Sequence, residues 1–188
     1  MSAASAADDA PKRSFAASAS STVKNAAATA WETAQGLSAA ALDLIGIRYQ
    51  WGGSTPETGL DCSGLVRYVF QQVTGVTLPR TAKDLSRLGD KVAIADLKPG
   101  DLVFFNTRRF AYSHVGIYLG DNRFVHSPRR GREVEVAALD SDFWQQRFDG
   151  ARRLVGVLPA LIPPLVSEAV AAPPDITWGA DDTPDERP

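Results

Sequence analysis

GLDCSGLVRYVF (residues 59–70) sets the only cysteine of the chain, Cys62, between a capping aspartate and a run whose apolar side chains return at helical spacing. Leu65, Val66, Val69, Phe70 and, just beyond the quoted stretch, Val73 share one helical face, and Gly75 supplies the stop. Asp61 is a good N-cap, because its carboxylate can accept from a first-turn amide that has no intrahelical partner. Cys62 then sits at the positive end of the helix dipole, where a thiolate is favoured, so a lowered thiol pKa is expected. A lone cysteine can equally be a small core residue. The rest of the chain has to decide between these uses.

Downstream, TAKDLSRL (81–88) opens on a Thr81/Asp84 capping pattern and predicts a short second helix. From Pro99-Gly100 onward the period changes: DLVFF, HVGIYL, RFVHS and EVEVAAL read as strands separated by Gly, Asn, Asp and Pro signals. Upstream, the alanine-rich stretch from Val23 to Ile47 carries Leu37, Ala40, Ala41, Leu44 and Ile45 as one buried stripe of a helix. Helices first and consecutive strands afterwards give an α+β fold, with N-terminal helices packed on a central antiparallel sheet.

Both histidines of the chain fall among the strands. In SHVGIYLGDNRFVHS (113–127), alternation separates Val115, Ile117 and Leu119 from His114, Gly116 and Tyr118, which puts His114 outside the main core. A three-residue loop Gly120-Asp121-Asn122 would pair Leu119 with Arg123 and Gly116 with His126. His126 then becomes the diagonal neighbour of His114 on one face, with Gly116 leaving room for the two rings. A thiol, a histidine and a further polar group that orients it are the components of nucleophilic catalysis by cysteine. Zinc would use the same residue types, but its ligands usually recur at short spacings and these histidines are 126 − 114 = 12 apart. No metal or cofactor is expected.

The 188 residues suit one ordinary domain, and a formal charge of −2 with mixed signs gives no field for nucleic acid. No apolar run reaches the roughly 18 residues a membrane span needs. The opening MSAASAADDAPKRSF lacks the apolar region of a secretory signal. Residues 1–34 read as an Ala/Ser-rich mobile leader, 35–157 as the packed domain, and 158–188 as a disordered Pro-rich, acidic tail. Gly52-Gly53 permits tight backbone beside the cysteine. Trp51 and the group Phe143, Trp144 and Phe148 read as packing residues, and Arg129, Arg130 and Arg132 as a solvated loop. Arg80 is open to either a solvated or a carboxylate-binding role.

RYQWGG, GLDCSGLVRYVF, LPRTA, KPGDLVFF, SHVGIYLGDNRFVHS and RFDGARRLV together resemble, over residues 37–157, the NlpC-type cell-wall endopeptidases, papain-like cysteine peptidases of bacteria. The resemblance implies Cys62 as nucleophile, His114 as base and His126 as the orienting third member. It implies Tyr49 as an oxyanion donor, with Asp61 and Ser63 helping to bind substrate. It further implies a monomer that hydrolyses peptidoglycan stem peptides, commonly between D-glutamate, through its γ-carboxyl, and meso-diaminopimelate, in the periplasm or outside the cell. An amidase or acyltransferase with the same Cys–His chemistry, and a non-catalytic wall-binding protein, are the alternatives.

Overall fold

The computed structural model describes residues 13–108 and 110–156, with side chains from residue 28 onward. Helix α1 (Arg13–Leu42) begins ahead of the predicted Val23 and ends short of the predicted Ile47. It crosses the expected leader boundary at residue 34 without a break, since no Gly or Pro interrupts the Ala/Ser stretch that follows Arg13. Its end is set by pairing: the Gly46 N–H donates to the Val134 carbonyl at 3.0 Å, and a turn rather than a helix delivers it there. Residues 1–12 and the predicted tail at 158–188 lie outside the described residues.

A small ladder of β1 (Ser54–Thr55) and β2 (Gly59–Leu60) precedes α2 (Cys62–Thr74), the helix of the quoted stretch. Leu65, Val66, Val69 and Phe70 on α2 are fully buried, each contributing about 1.5–3 kcal/mol of hydrophobic stabilisation. Gly75 ends the helix in the left-handed conformation at φ 72°, as its position predicts. Helix α3 (Ala82–Leu85) is capped as expected, with Thr81 Oγ1 accepting from the Asp84 N–H at 3.1 Å.

Six strands then form one antiparallel sheet: β3 (Asp90–Val92), β4 (Leu102–Phe105), β5 (His114–Gly120), β6 (Arg123–His126), β7 (Glu135–Ala138) and, after the short helix α4 (Asp142–Gln145), β8 (Phe148–Arg153). Their order is β3-β8-β4-β5-β6-β7. The four predicted strands are present. β3 and β8 were not predicted, because FDGARR has no alternation of apolar residues and only Ala151 of it is buried.

Both faces of the sheet are covered. Leu102, Phe104, Val115, Ile117 and Val125 pack with α1 and α2, whereas Val103, Phe105, Tyr118, Phe124 and Ala151 form a second core with Trp144 and Phe148. His114 belongs to this second face, as alternation indicates, but it is buried rather than outside a core.

The β5–β6 hairpin keeps the predicted register where it matters, with Ile117 opposite Val125 and Tyr118 opposite Phe124. Its end differs: Gly120 rather than Leu119 pairs with Arg123, through a bulge. The loop is therefore the two residues Asp121 and Asn122, at φ 49° and 55°, the left-handed pair that matches strand twist. Gly116 also serves another purpose than the one expected. A Cβ there would lie 2.6 Å from the Phe124 ring and 2.8 Å from the Val125 carbonyl, so it makes room for Phe124 and not for the imidazoles. Gly116→Ala should accordingly lower the free energy of urea unfolding by about 1–3 kcal/mol; an unchanged midpoint and slope would show that the hairpin accommodates the methyl group.

Candidate active site

The site begins at the cap of α2. Asp61 holds an extended conformation, and its Oδ1 accepts from the Gly64 N–H at 2.7 Å. The same carboxylate accepts from the Gly52 N–H at 3.0 Å and from both Arg80 nitrogens, Nη1 at 3.0 Å and Nη2 at 2.6 Å. Ser63 donates to Asp61 Oδ1 at 3.2 Å and accepts from Arg80 Nη1 at 2.8 Å. Gly53 is drawn against the helix start, where a Cβ on Gly64 would fall 2.0 Å from the Gly53 carbonyl oxygen. Asp61, Ser63 and Arg80 thus form one polar clamp that fixes the residue between the first two, Cys62.

Cys62 is 5% exposed and packs in one core cluster with Val115 of β5, the residue next in sequence to His114. Burial and then the Asp61 carboxylate push the thiol up, and the Val115 amide, Arg108 and the Ser63 amide only partly oppose them. This reverses the lowered pKa expected from the helix start alone, because removal of water from a thiolate outweighs the dipole here.

The two histidines meet: His114 Nε2 lies 2.9 Å from His126 Nδ1, with the rings perpendicular. Each is 1% exposed. Burial, followed by His126 and the Arg108 charge, holds His114 well below the usual imidazole value. Burial lowers His126 to about 4, against the opposing pull of Glu135. The directions of all three shifts favour the neutral thiol and neutral imidazoles.

Tyr49 enters through backbone pairing. Its N–H donates to the Arg132 carbonyl at 2.8 Å, and Tyr49 bridges to Leu60. Its phenol oxygen accepts from Arg108 Nη2 at 3.1 Å, which leaves the phenol proton free to be donated.

Two residues that sequence reasoning missed complete the surroundings. Arg108 lies in the β4–β5 loop, where the Ser113 hydroxyl accepts from the Thr107 and Arg108 amides at 2.9 and 3.1 Å. Its guanidinium stacks 4.2 Å above Trp51, which is 62% exposed and therefore not the packing residue expected. Trp144 stacks on His114 at 5.7 Å between centroids and meets the His126 ring edge-on at 4.9 Å. It was read correctly as apolar filler but not as the wall of the histidine pair. No periodicity marks Arg108, whose loop has none.

A cavity of about 500 Å³ opens on Cys62, lined also by Trp51, Arg80, Phe110 and Tyr112. A second, of about 400 Å³, opens on the histidines, with Arg129, Arg132, Glu135 and Trp144 in its wall. Arg108 borders both. Arg129 and Arg132 thus face a cavity, although they were read as a solvated loop. Among the described residues no group of three or more His, Cys, Asp and Glu side chains is arranged to hold a metal ion, and no helix is long and apolar enough to cross a membrane.

Comparison with known proteins places the chain among relatives of one family. The family described as NlpC/P60 matches residues 46–153. The murein DD-endopeptidase MepH of Escherichia coli is 45% identical over 117 residues, which cover 61% of this chain and 43% of that protein. The gamma-DL-glutamyl hydrolase of Bacillus subtilis is 46% identical over 126 residues, 66% of this chain and 30% of that protein. The chain thus spans less than half the length of either relative. Among solved structures, the NlpC/p60 domain of the peptidoglycan hydrolase SagA superposes with a TM-score of 0.56 at 35% identity, covering 64% of this chain and 97% of that one. The peptidoglycan hydrolase RipB of Mycobacterium tuberculosis superposes with a TM-score of 0.58 at 29% identity, covering 68% of this chain and 67% of that one.

A raised thiol pKa leaves less thiolate at a given pH. Iodoacetamide should therefore label Cys62 more slowly at pH 6 than it labels an unperturbed thiol of pKa about 8.5, with the rate rising through alkaline pH. Faster labelling than the free thiol at pH 6 would show a resting thiolate–imidazolium pair instead.

Proposed function

The chain belongs to the NlpC/P60 family, and from that premise we propose that it is a cysteine endopeptidase that hydrolyses peptide bonds in peptidoglycan stem peptides, the bond between D-glutamate, through its γ-carboxyl, and meso-diaminopimelate first among them. The observation that carries the reading is the 2.9 Å contact of His114 Nε2 with His126 Nδ1, on the strand β5 whose Val115 packs in one core cluster with Cys62. A peptidase of this kind needs a nucleophile, a base and a group that orients the base, and in this reading Cys62, His114 and His126 fill the three roles.

His114 takes the thiol proton as the Cys62 sulfur attacks the amide carbonyl, and the carbonyl electrons move onto oxygen. The Cys62 N–H, in the first turn of α2 where amides lack intrahelical acceptors, and the Tyr49 O–H, freed by Arg108 on its acceptor side, stabilise that oxyanion. Collapse breaks the C–N bond while His114 returns the proton to the leaving amine. Water, deprotonated by the same imidazole, then hydrolyses the thioester. The cavity on Cys62 takes the acyl part and the cavity on the histidines the amine part, with Arg108 between them. Similar proteins named as a murein DD-endopeptidase and as a peptidoglycan hydrolase support the substrate class. In this reading the enzyme meets its substrate in the periplasm or outside the cell, and it acts there as a monomer.

Incubation of the purified chain with peptidoglycan fragments, with products identified by mass spectrometry, should show cleavage of the stem peptide. Cys62→Ala and Cys62→Ser should each lose more than about 10³-fold in rate with the fold retained. Wild-type activity in Cys62→Ala would refute the thiol mechanism, and products from ester or lipid amides alone would redirect the same chemistry to another substrate. His126→Ala should lower kcat by about 10²-fold with a smaller change in KM, and His126→Asn should recover part of it. An unaltered kcat in His126→Ala would remove His126 from the mechanism.

A further inference from the structure

We propose that Glu135 is the positioning residue that fixes the tautomer of His126 and, through it, that of His114, an inference that rests on the Cys–His–His reading above. The sheet register sets Glu135 directly opposite His126 across β6 and β7, so the two side chains emerge side by side on one face. Glu135 Oε1 stands 3.9 Å from His126 Nε2, and Oε2 is held by Arg132. Among the described residues, His126 Nε2 is the one buried side-chain nitrogen or oxygen without a hydrogen-bond partner. An orphan of this kind, aimed at a tethered carboxylate, calls for an explanation.

The proton inventory of the pair provides it. His114 Nε2 is occupied by His126 Nδ1, which leaves His114 Nδ1 as the nitrogen that can take the thiol proton. For Nδ1 to be a base, the His114 proton must reside on Nε2 and be donated to His126 Nδ1. His126, neutral at physiological pH, must then carry its own proton on Nε2. In the opposite arrangement, His126 Nδ1–H donates to His114 Nε2, and His114 is protonated on Nδ1 and cannot act as base. Without a partner at Nε2 both forms leave a buried ring nitrogen unpaired, at a cost of about 1–3 kcal/mol; a hydrogen-bond acceptor there relieves only the productive form.

Glu135 supplies that acceptor. Its side chain is 35% exposed and keeps freedom to turn, so a small rotation, or one bridging water, closes the 3.9 Å gap onto Nε2–H. The other charges around the same cavity, Arg108, Arg129 and Arg132, are all cations that offer no acceptor. Arg132 keeps the carboxylate from leaving.

The test compares the full-length wild type with Glu135→Gln and Glu135→Ala. Long-range ¹H–¹⁵N correlation spectra at neutral pH read the histidine tautomers directly and need no substrate. His126 should carry its proton on Nε2 in the wild type and in Glu135→Gln, whose amide oxygen still accepts, and should move toward the Nδ1–H form in Glu135→Ala. With a stem-peptide fragment as substrate, Glu135→Ala should lose about 10-fold or more in kcat with KM within about 3-fold, and Glu135→Gln should recover most of the loss. An unchanged His126 tautomer in Glu135→Ala overturns the proposal. So does a kcat loss in Glu135→Gln equal to that of Glu135→Ala, and so does an effect confined to KM, which would make Glu135 a substrate contact. If the wild type cleaves no stem peptide, the functional reading fails and the spectra alone decide the tautomer question.

Discussion

The carboxylate of Asp61 holds the site together. One side chain caps α2 through Gly64, tethers the Gly52–Gly53 turn and receives the Arg80 fork. Charge-assisted bonds of this kind are worth roughly 1.5–3 kcal/mol each when desolvated, and less on the side where Arg80 meets water. Three segments distant in sequence converge on it, and Cys62 is the next residue along. The thiol's position is therefore set by backbone that cannot shift without breaking several bonds at once. Asp61 and Ser63 line the Cys62 cavity, yet their hydrogen-bonding capacity is largely committed to Arg80 and the helix start.

The second constraint is dryness. Sheets usually leave a face to solvent when helices cover only the other, but here Phe105, Phe124 and Trp144 close the second face around His114 and His126. That enclosure lowers both imidazole pKa values, while burial of Cys62 in the first core and the Asp61 charge raise the thiol. The site is accordingly built on neutral groups whose proton positions matter more than their charges. Arg108 adds its field at His114, while its hydrogen bond orients the Tyr49 phenol.

Much of this was legible in the sequence because it was written in local signals. Asp61 ahead of an apolar period, Gly75 behind it, the Thr81/Asp84 cap and the β5–β6 alternation each depend on residues close in the chain, and each recurs in the structure. What escaped depends on distant partners. β8 lies inside the sheet between β3 and β4 but reads as polar, since Arg153 is drawn in by Asp101 at 2.7 Å rather than by apolar burial. The direction of the Cys62 shift required knowledge of how deeply α2 is buried. Arg108 and Trp144 take their importance from segments that approach the histidines only in three dimensions, and Glu135 from a strand pairing whose register the preceding arginine-rich loop does not announce.

The hairpin that carries both histidines has a consequence for how the site comes together. Their partnership closes a loop of 126 − 114 = 12 residues, whereas the thiol must be brought across 114 − 62 = 52. Loop-closure entropy favours the first event over the second. The imidazole pair can persist as a local unit while α2, resting on β5 through side-chain packing rather than strand pairing, lifts away. An opening that parted α2 from β5 would separate the proposed nucleophile from its proposed base while leaving the imidazole pair within its own hairpin, and such a chain would carry a thiol without the means to activate it.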